Sequence, residues 1–265
     1  MRLVSIASGS SGNCIYIGND NTHLLVDVGI SAKRIEAGLK EIDLCGRDID
    51  GILITHEHSD HIQGVGVMAR KFGIPIYATT GTIREILTKK SLGEINLGLF
   101  NEIKADSPFM IKDMEINSMK ISHDGAEPVA YRFRSGNKRV AIATDMGVYD
   151  DYTVECLKGM DVLFLEANHD INMLQVGPYP YHLKQRILSS YGHLSNEASG
   201  RLLSKVLHDD MKAIVLGHLS KENNLPELAY ETVKLEVTMD DNPYDGNDFP
   251  ILVAKREDVF PKLEF

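Results

Sequence analysis

Apolar residues in the first third of the chain form short continuous runs that alternate with stretches of helical spacing. The runs are rich in Val, Ile and Leu and are bounded by Gly, Ser, Asn and Asp, which predicts strands. The predicted strands are residues 3–7, 14–17, 23–27, 51–55 and 75–78. Between the later runs, apolar side chains recur with the period of a helix, and turn-forming residues end each stretch. The predicted helices are residues 31–42, 61–72 and 82–90.

The middle of the chain is mostly strand, and the last third alternates again. Strands are predicted at residues 96–100, 109–111, 115–121, 129–134, 139–143, 161–166, 213–216 and 250–254. Helices are predicted at residues 151–157, near 181–191, and at 196–207 and 226–237. Two strand-rich halves flanked by helices favour an α/β fold of the four-layer αββα sandwich type over a single doubly wound sheet. No linker or low-complexity tract divides the sequence, so we expect one domain over residues 1–265.

Composition places the chain among ordinary globular proteins. Hydrophobic residues make up 43% and charged residues 25% of the 265 positions, as is usual for a domain with a substantial core. No apolar stretch approaches the roughly 18 residues of a membrane span, and the start lacks a signal-peptide pattern. We therefore expect a cytoplasmic protein with no membrane association. The three cysteines, Cys14, Cys45 and Cys156, are scattered and odd in number, which argues against disulfides or a cysteine-rich zinc site.

The formal net charge of the chain is −10. By itself, this charge disfavours broad nonspecific binding of nucleic acid, which usually needs a basic surface. However, carboxylates that hold metal ions count as negative in this sum, whereas the ions are not counted. A locally cationic site is therefore compatible with the acidic total.

One heptapeptide carries much of the candidate chemistry. Residues 55–61 read T-H-E-H-S-D-H and follow the apolar run of residues 51–54, so they lie in the loop after a buried strand. The imidazoles of His56, His58 and His61 and the carboxylate of Asp60 suit zinc and similar divalent ions. One tight loop cannot wrap four donors around one ion, which indicates two ions side by side. The alternative is a solvated loop that is rich in histidine by chance, and three histidines in six positions disfavour it.

Further metal donors follow three other apolar strands. His123, Asp145 and His218 each stand after a strand and before a turn-forming segment, so all three can converge on one sheet edge. Taken singly, such residues are more often loop residues or helix caps, but together with the heptapeptide they complete a two-metal set. In this set, the first ion takes His56, His58 and His123. The second takes Asp60, His61 and His218, and an aspartate bridges both ions.

The order of these donors resembles that of the metallo-β-lactamase fold superfamily of metallohydrolases. The resemblance consists of T-H-x-H-x-D-H followed by a distant His, Asp and His, and it spans essentially the whole chain. It implies an αββα sandwich, a metal pair at the edge between the sheets, and Asp145 as the bridging carboxylate. The flavodiiron branch has Glu at the position of His58, so a redox di-iron centre is disfavoured. The donors accept zinc, manganese or iron.

Other blocks resemble the YycJ/WalJ family of bacterial DNA exonucleases. These blocks are S-G-S-S-G-N at residues 8–13, L-E-A-N-H-D at 165–170, G-P-Y-P at 177–180 and G-H-L-S-N at 192–196. The resemblance implies a cytoplasmic 5′-to-3′ exonuclease that acts on double-stranded DNA ends and is linked to DNA repair. Only about 70 residues separate Asp145 from His218 and the predicted elements fill them, so we expect no inserted β-CASP domain.

Phosphodiester cleavage needs groups beyond the metal ligands. Two divalent ions can lower the pKa of a water molecule and stabilise charge on phosphoryl oxygens. We expect Asp60 to act in catalysis as well as in metal binding, and His193 to protonate the leaving 3′-oxygen. The alternative for His193 is helix capping or packing. His169 is expected to orient ligands or to face substrate, and Glu166 or Asp124 to orient imidazoles.

A DNA end also needs binding groups. The small-residue loop of residues 8–13 could form an anion nest for a terminal phosphate from its backbone N–H groups, or could be merely a tight turn. The candidate substrate contacts are Ser8, Ser10, Ser11, Asn13, His169 and Lys184.

Three functions compete on this evidence. The leading hypothesis is a metal-dependent phosphodiesterase that acts on DNA ends, with DNA as the expected partner. The second is a small-molecule hydrolase, such as a thioesterase or lactonase, which would cleave acyl substrates and show no salt-sensitive DNA binding. The third is a non-enzymatic module that binds metal or a partner, and the full set of ligand residues disfavours it.

Overall fold

Fourteen strands and nine α-helices make up the structure, a computed structural model that describes residues 1–265. The strands are β1 (Arg2–Ala7), β2 (Cys14–Gly18), β3 (His23–Val26), β4 (Gly51–Leu53), β5 (Ile76–Thr79), β6 (Phe100–Ile103), β7 (Phe109–Ile111), β8 (Met114–Lys120), β9 (Val129–Ser135), β10 (Lys138–Ala143), β11 (Val162–Glu166), β12 (Ala213–Gly217), β13 (Ile251–Val253) and β14 (Lys262–Glu264). The helices are α1 (Ala32–Lys40), α2 (Ser59–Ile62), α3 (Val65–Phe72), α4 (Thr80–Thr88), α5 (Asp151–Leu157), α6 (Ile171–Val176), α7 (Tyr181–Ile187), α8 (Asn196–Val206) and α9 (Pro226–Met239).

The strands belong to two sheets, and the combination of sheets and helices confirms the predicted mixed α/β class. The chain divides into two compact units. Unit 1 comprises Met1–Lys120, Gly125–Gly136 and Lys255–Phe265, and unit 2 comprises Ile121–Asp124 and Asn137–Ala254. That the chain is one domain without a β-CASP insertion stays a prediction. None of the helices combines the length and apolar character needed to cross a membrane.

Unit 1 contains the whole of the first sheet, with the strand order β14-β1-β2-β3-β4-β5-β6. The pairs from β14 to β3 are antiparallel, whereas β3, β4, β5 and β6 are parallel neighbours. Parallel neighbours need crossover connections, and α1 to α4 supply them. Buried side chains from these strands and helices, among them Tyr16, Ile52 and Met68, form one hydrophobic core. Unit 1 also contains the antiparallel strands β7, β8 and β9.

Unit 2 contains four parallel strands in the order β13-β12-β11-β10. Both β11 and β12 are buried along their whole length, which explains their continuous apolar sequences. The register pairs Leu165 with Ala143 on one side and with Leu216 on the other, so three strands end at one edge. Residues that end or follow β10, β11 and β12 are therefore brought together.

The predicted helix at residues 61–72 is interrupted, because α2 ends at Ile62 and α3 begins at Val65. The N–H of Gly64 donates to the Val28 carbonyl at 2.7 Å. A Cβ at Gly64 would lie 2.5 Å from the Ile30 carbonyl oxygen, so only glycine allows this approach. The segment after β3, which contains Val28 and Ile30, thus separates the short helix α2 from the longer helix α3.

Two other predicted boundaries are wrong for local reasons. The side chain of Asn96 accepts the N–H of Gly98 at 2.9 Å and holds a 3₁₀ turn, so the strand begins at Phe100 rather than at residue 96. Helix α7 ends at Ile187 rather than at residue 191, because the His193 N–H folds back onto the Ile187 carbonyl at 3.1 Å. Helix α6 and strand β14 were not predicted from the sequence.

Candidate metal centre

The donors of the heptapeptide lie together in unit 1, just after β4. We call His56, His58, Asp60 and His61 the loop cluster. His56 Nε2 and His58 Nδ1 are 3.0 Å apart, close to the roughly 3.3 Å expected between two nitrogens that share a tetrahedral zinc ion. His61 Nε2 and Asp60 Oδ2 are 3.5 Å apart. Each pair is close enough to bind one ion.

Asp27 orients the loop cluster, although no role was predicted for it from the sequence. Its carboxylate accepts the Thr55 N–H and hydroxyl, each at 2.9 Å, and the His61 Nδ1–H at 2.7 Å. Because Thr55 donates its hydroxyl hydrogen to Asp27, its oxygen accepts from His56 Nδ1 at 3.0 Å. Asp27 therefore holds His61 directly and His56 through Thr55. The available signal was its position after the apolar strand L-L-V, the same signal that identified Asp145.

The environment of Asp27 is unfavourable for an isolated carboxylate. Burial raises its pKa, while His61 and Thr55 oppose that shift. Its φ of 58° is also a left-handed value, which is rare for a residue other than glycine. Such strain persists where the surroundings hold it in place, and it concentrates at functional sites.

The loop of residues 8–13 packs against the heptapeptide. The Asn13 N–H donates to the Asp60 carbonyl at 2.8 Å, and the Asn13 amide lies 3.2 Å from His61 Nε2. A Cβ on Gly29 would lie 1.6 Å from the Asp60 carbonyl oxygen, so this position requires glycine. These contacts fix the start of α2, which contains Asp60 and His61.

A second group of donors lies in unit 2, and we call it the Glu166 cluster. It consists of His123, Asp145, Glu166, His193 and His218. Asp145 follows β10, Glu166 ends β11 and His218 follows β12, so the parallel strands deliver them to one edge. One ligand atom from each of Asp145, Glu166, His193 and His218 lies within 4.8 Å of the others.

Glu166 is the centre of this cluster and is fully buried. One carboxylate oxygen accepts the Nδ1–H groups of His193 at 2.8 Å and His218 at 2.9 Å. The other oxygen accepts the N–H groups of Met146 at 2.8 Å and Leu194 at 3.2 Å. Burial opposes ionisation of Glu166, but the two imidazoles hold its pKa well below the usual range. Glu166 is therefore a carboxylate that orients two imidazoles.

His123 and Asp145 complete the Glu166 cluster. The His123 Nδ1–H donates to the Gly192 carbonyl at 3.0 Å. Asp145 Oδ1 lies 3.4 Å from His218 Nδ1 and 3.9 Å from His123 Nε2. Both Asp145, with φ 62°, and His218, with φ 55°, adopt left-handed backbone conformations. Strain thus marks this cluster as it marks Asp27.

The two clusters have the chemistry of divalent metal sites. His61, His123 and His218 each donate Nδ1–H to a carboxylate or carbonyl oxygen, which leaves Nε2 as the nitrogen suited to a metal. Ligand histidines in metalloproteins are commonly oriented in this way. Buried imidazole and carboxylate donors suit zinc, manganese and iron. The residues therefore fit divalent ions.

Two predicted site histidines differ in their surroundings. His193 is 19% exposed and is held by Glu166. His169 is 1% exposed, and neither ring nitrogen has a hydrogen-bond partner. Burial lowers the pKa of His169 to about 4, so its ring is neutral near pH 7. The His169 ring therefore makes no hydrogen bond to any of the candidate metal ligands.

The predicted substrate contacts are distributed unevenly. Ser8 and Asn13 are buried, whereas Ser10 and Ser11 are exposed. The Gly9 N–H donates to the Asn13 side chain at 2.9 Å, and the Gly12 N–H to the Gly9 carbonyl at 2.9 Å. The loop is thus a tight turn that uses most of its own N–H groups.

Two basic side chains of α7 already have partners. Lys184 donates to the Gln175 carbonyl at 2.8 Å, and Arg186 pairs with Asp124. A role for Lys184 in DNA binding stays a prediction.

The fold and the donor clusters define a metallohydrolase, and the comparison with known families agrees. The chain matches the beta-lactamase superfamily domain over residues 22–216 and therefore belongs to that family. This match confirms the predicted metallo-β-lactamase type.

Two curated relatives match most of the chain. It is 40% identical over 259 residues to "Exodeoxyribonuclease WalJ" of Streptococcus pneumoniae, a match that covers 98% of this chain and 96% of the relative. It is 41% identical over 236 residues to "Exodeoxyribonuclease YycJ" of Bacillus anthracis, with 86% of each chain covered. The predicted resemblance to this family is confirmed.

A solved structure shows the same fold. The metallo-β-lactamase fold protein YhfI from Bacillus subtilis superposes with a TM-score of 0.73 over 99% of both chains. At 18% identity, this likeness concerns the fold alone.

Proposed function

We propose that the protein is a metal-dependent exodeoxyribonuclease that degrades double-stranded DNA from the 5′ end. The similarity over 98% of the chain to a curated exodeoxyribonuclease is the observation that carries this proposal. The complete donor set supports the hydrolytic chemistry, since both clusters contain buried imidazoles oriented by a carboxylate. A cytoplasmic location and a role in DNA repair follow from the resemblance and stay predictions.

We assign two divalent ions to the residues of the two clusters. His56, His58 and His123 would hold the first ion, and Asp60, His61 and His218 would hold the second. Asp145 would contribute its carboxylate to both ions. This pairing rests on the order of the donors in the sequence and on family membership. When bound, divalent ions supply a water molecule of lowered pKa and stabilise negative charge on a phosphoryl group.

The residues around His193 account for proton transfer. Glu166 accepts the Nδ1–H of His193, so the tautomer is fixed and Nε2 is the atom that exchanges a proton with substrate. His193 is partly exposed, whereas Glu166 is fully buried. We therefore assign His193, in its imidazolium form, the role of donating its Nε2 proton to the leaving 3′-oxygen, which leaves the neutral ring with its proton on Nδ1. Glu166 is the group that positions it.

The test uses the purified protein, stripped with a chelator and reloaded with Mn²⁺ or Zn²⁺. Duplexes labelled at the 3′ end, with either a 5′-phosphate or a 5′-hydroxyl, should shorten from the unlabelled 5′ end. The chelated protein and the Asp145→Asn variant should leave them intact. Degradation of neither duplex, together with robust hydrolysis of thioesters or lactones, would establish the small-molecule hydrolase instead.

A further inference from the structure

A cavity of about 450 Å³ lies in unit 1 beside Asp60 of the loop cluster. Three segments meet there: the loop of residues 8–13, the heptapeptide with the start of α2, and the segment that follows α4. Its polar lining includes Ser10, Ser11, Ser59, Asp60, Lys89 and Ser91. The volume falls within the range of pockets that hold small ligands.

The cavity has hydrogen-bond donors that the protein itself does not use. The hydroxyls of Ser10, Ser59 and Ser91 and the ammonium of Lys89 have no hydrogen-bond or ion-pair partner in the structure. Arg256 lies outside the lining, but its guanidinium donates to the hydroxyl of the lining residue Ser11 at 3.2 Å, which places a second cation next to the cavity. Cations and hydroxyl donors together are the groups that proteins use to bind phosphate oxygens.

Two carboxylates also line the cavity, and their positions are compatible with an anion. Glu57 is only 7% exposed, and one of its oxygens accepts the Ala126 N–H at 2.8 Å. Asp60 belongs to the loop cluster, beside His61. Of the two acidic groups, Glu57 is therefore a buried side chain and Asp60 is a candidate metal ligand. The exposed lining residues are Ser10, Ser11, Ser59, Gln63, Lys89 and Ser91, and Lys89 is the charged group among them.

We propose that this cavity binds the 5′-terminal phosphate of the DNA strand, with Lys89 and Arg256 as its cationic contacts. The inference rests on the proposed function, since a 5′-to-3′ exonuclease cleaves the phosphodiester one nucleotide from that end. A cavity that adjoins Asp60 and can hold one nucleotide places the terminal phosphate away from the reacting one. The enzyme then prefers 5′-phosphorylated ends and releases mononucleotides.

Lys89→Gln is the main test, and Lys90→Gln is its matched control. Lys90 is the next residue, is also exposed, and is not part of the cavity lining. For each protein, kcat/KM is measured on duplexes that differ only in a 5′-phosphate or a 5′-hydroxyl. The wild type should favour the phosphorylated end. Lys89→Gln should reduce that preference about tenfold, as expected for loss of one charge-assisted hydrogen bond, and Lys90→Gln should keep it.

Binding without turnover provides a second measurement. Fluorescence anisotropy in chelator should show tighter binding of the 5′-phosphorylated duplex to the wild type and to Lys90→Gln. The difference between the two ends should shrink for Lys89→Gln, and further for the double variant Lys89→Gln with Arg256→Gln. If the variants lost equal affinity for the 5′-phosphorylated and the 5′-hydroxyl duplex, these cations would contact internal phosphates. That result would overturn the inference.

The outcomes separate the inference from the proposed function. A wild type that degrades neither duplex contradicts the exonuclease itself. A wild type that degrades both ends at equal rates keeps the exonuclease and overturns the phosphate subsite. An end preference that survives in Lys89→Gln also overturns it.

Discussion

The loop cluster and the Glu166 cluster hold similar side chains by different means. In the loop cluster, four donors stand within six consecutive residues, and Asp27 orients two of the imidazoles, one of them through Thr55. In the Glu166 cluster, the donors come from separate segments, most of them at strand ends and His193 from the connection between α7 and α8. There, one carboxylate accepts two imidazole N–H groups and two backbone N–H groups.

This difference shows where each cluster is vulnerable. The loop conformation itself holds the loop cluster together, with Gly29 and Asn13 packed against Asp60. The Glu166 cluster depends on one buried anion, and removal of a buried hydrogen-bonded charge leaves several donors unsatisfied. We therefore expect substitutions in the Glu166 cluster to have larger effects.

The largest expected effect concerns His193, which has no counterpart in the loop cluster. His193→Ala should lower kcat on 5′-phosphorylated duplex by about 10²–10⁴-fold, the usual range for loss of a general acid. Metal content, measured by mass spectrometry, should be unchanged. His182→Ala, an exposed histidine on α7, is the control and should behave as the wild type. Loss of metal from His193→Ala would make this residue a ligand instead.

The orienting carboxylates allow the two clusters to be compared directly. Glu166→Gln and Asp27→Asn each replace a carboxylate by an amide that cannot accept every bond. Metal affinity should fall by about 10–100-fold in each variant, as when other partners of ligand histidines are lost. Glu166→Gln should lose more metal affinity, because Glu166 accepts four hydrogen bonds and Asp27 accepts three, so the amide leaves more buried donors unsatisfied around the ligand His218. Competition with a chromogenic chelator measures both, and a larger loss in Asp27→Asn would reverse the comparison.

The smallest expected effect concerns His169 and the pH dependence of stability. Burial lowers its pKa in the folded protein to about 4, whereas an unfolded histidine titrates near about 6.5. The folded state therefore binds fewer protons. The stabilising contribution is fully present above pH 6.5 and is lost as pH falls toward 4. Between pH 7.5 and 5.5, this group should lower the unfolding free energy by about 1 kcal/mol.

Urea unfolding of the metal-free protein at both pH values measures this contribution. Between pH 7.5 and 5.5, the unfolding free energy of His169→Phe should fall by about 1 kcal/mol less than that of the wild type, since phenylalanine does not titrate. Identical pH dependence in His169→Phe and wild type would contradict the assignment.

The fold class and most of the candidate metal ligands could be predicted from the sequence by itself. The T-H-E-H-S-D-H loop indicated a metal site because its four donors are neighbours in the chain. Apolar strands followed by a single His or Asp indicated His123, Asp145 and His218, because such strands end at a sheet edge. The mixed α/β class and the family followed from the same local patterns. Each of these signals lies within a few consecutive residues.

Only the tertiary structure decided how the donors are oriented and which loop groups remain available. Asp27 meets His61 across 34 positions, and Glu166 meets His218 across 52. The tight turn of residues 8–13, the early end of α7 and the cavity beside Lys89 likewise depend on distant partners. Hydrogen bonds between remote residues leave no periodic pattern in the sequence. Their geometry exists only once the strands have brought those residues together.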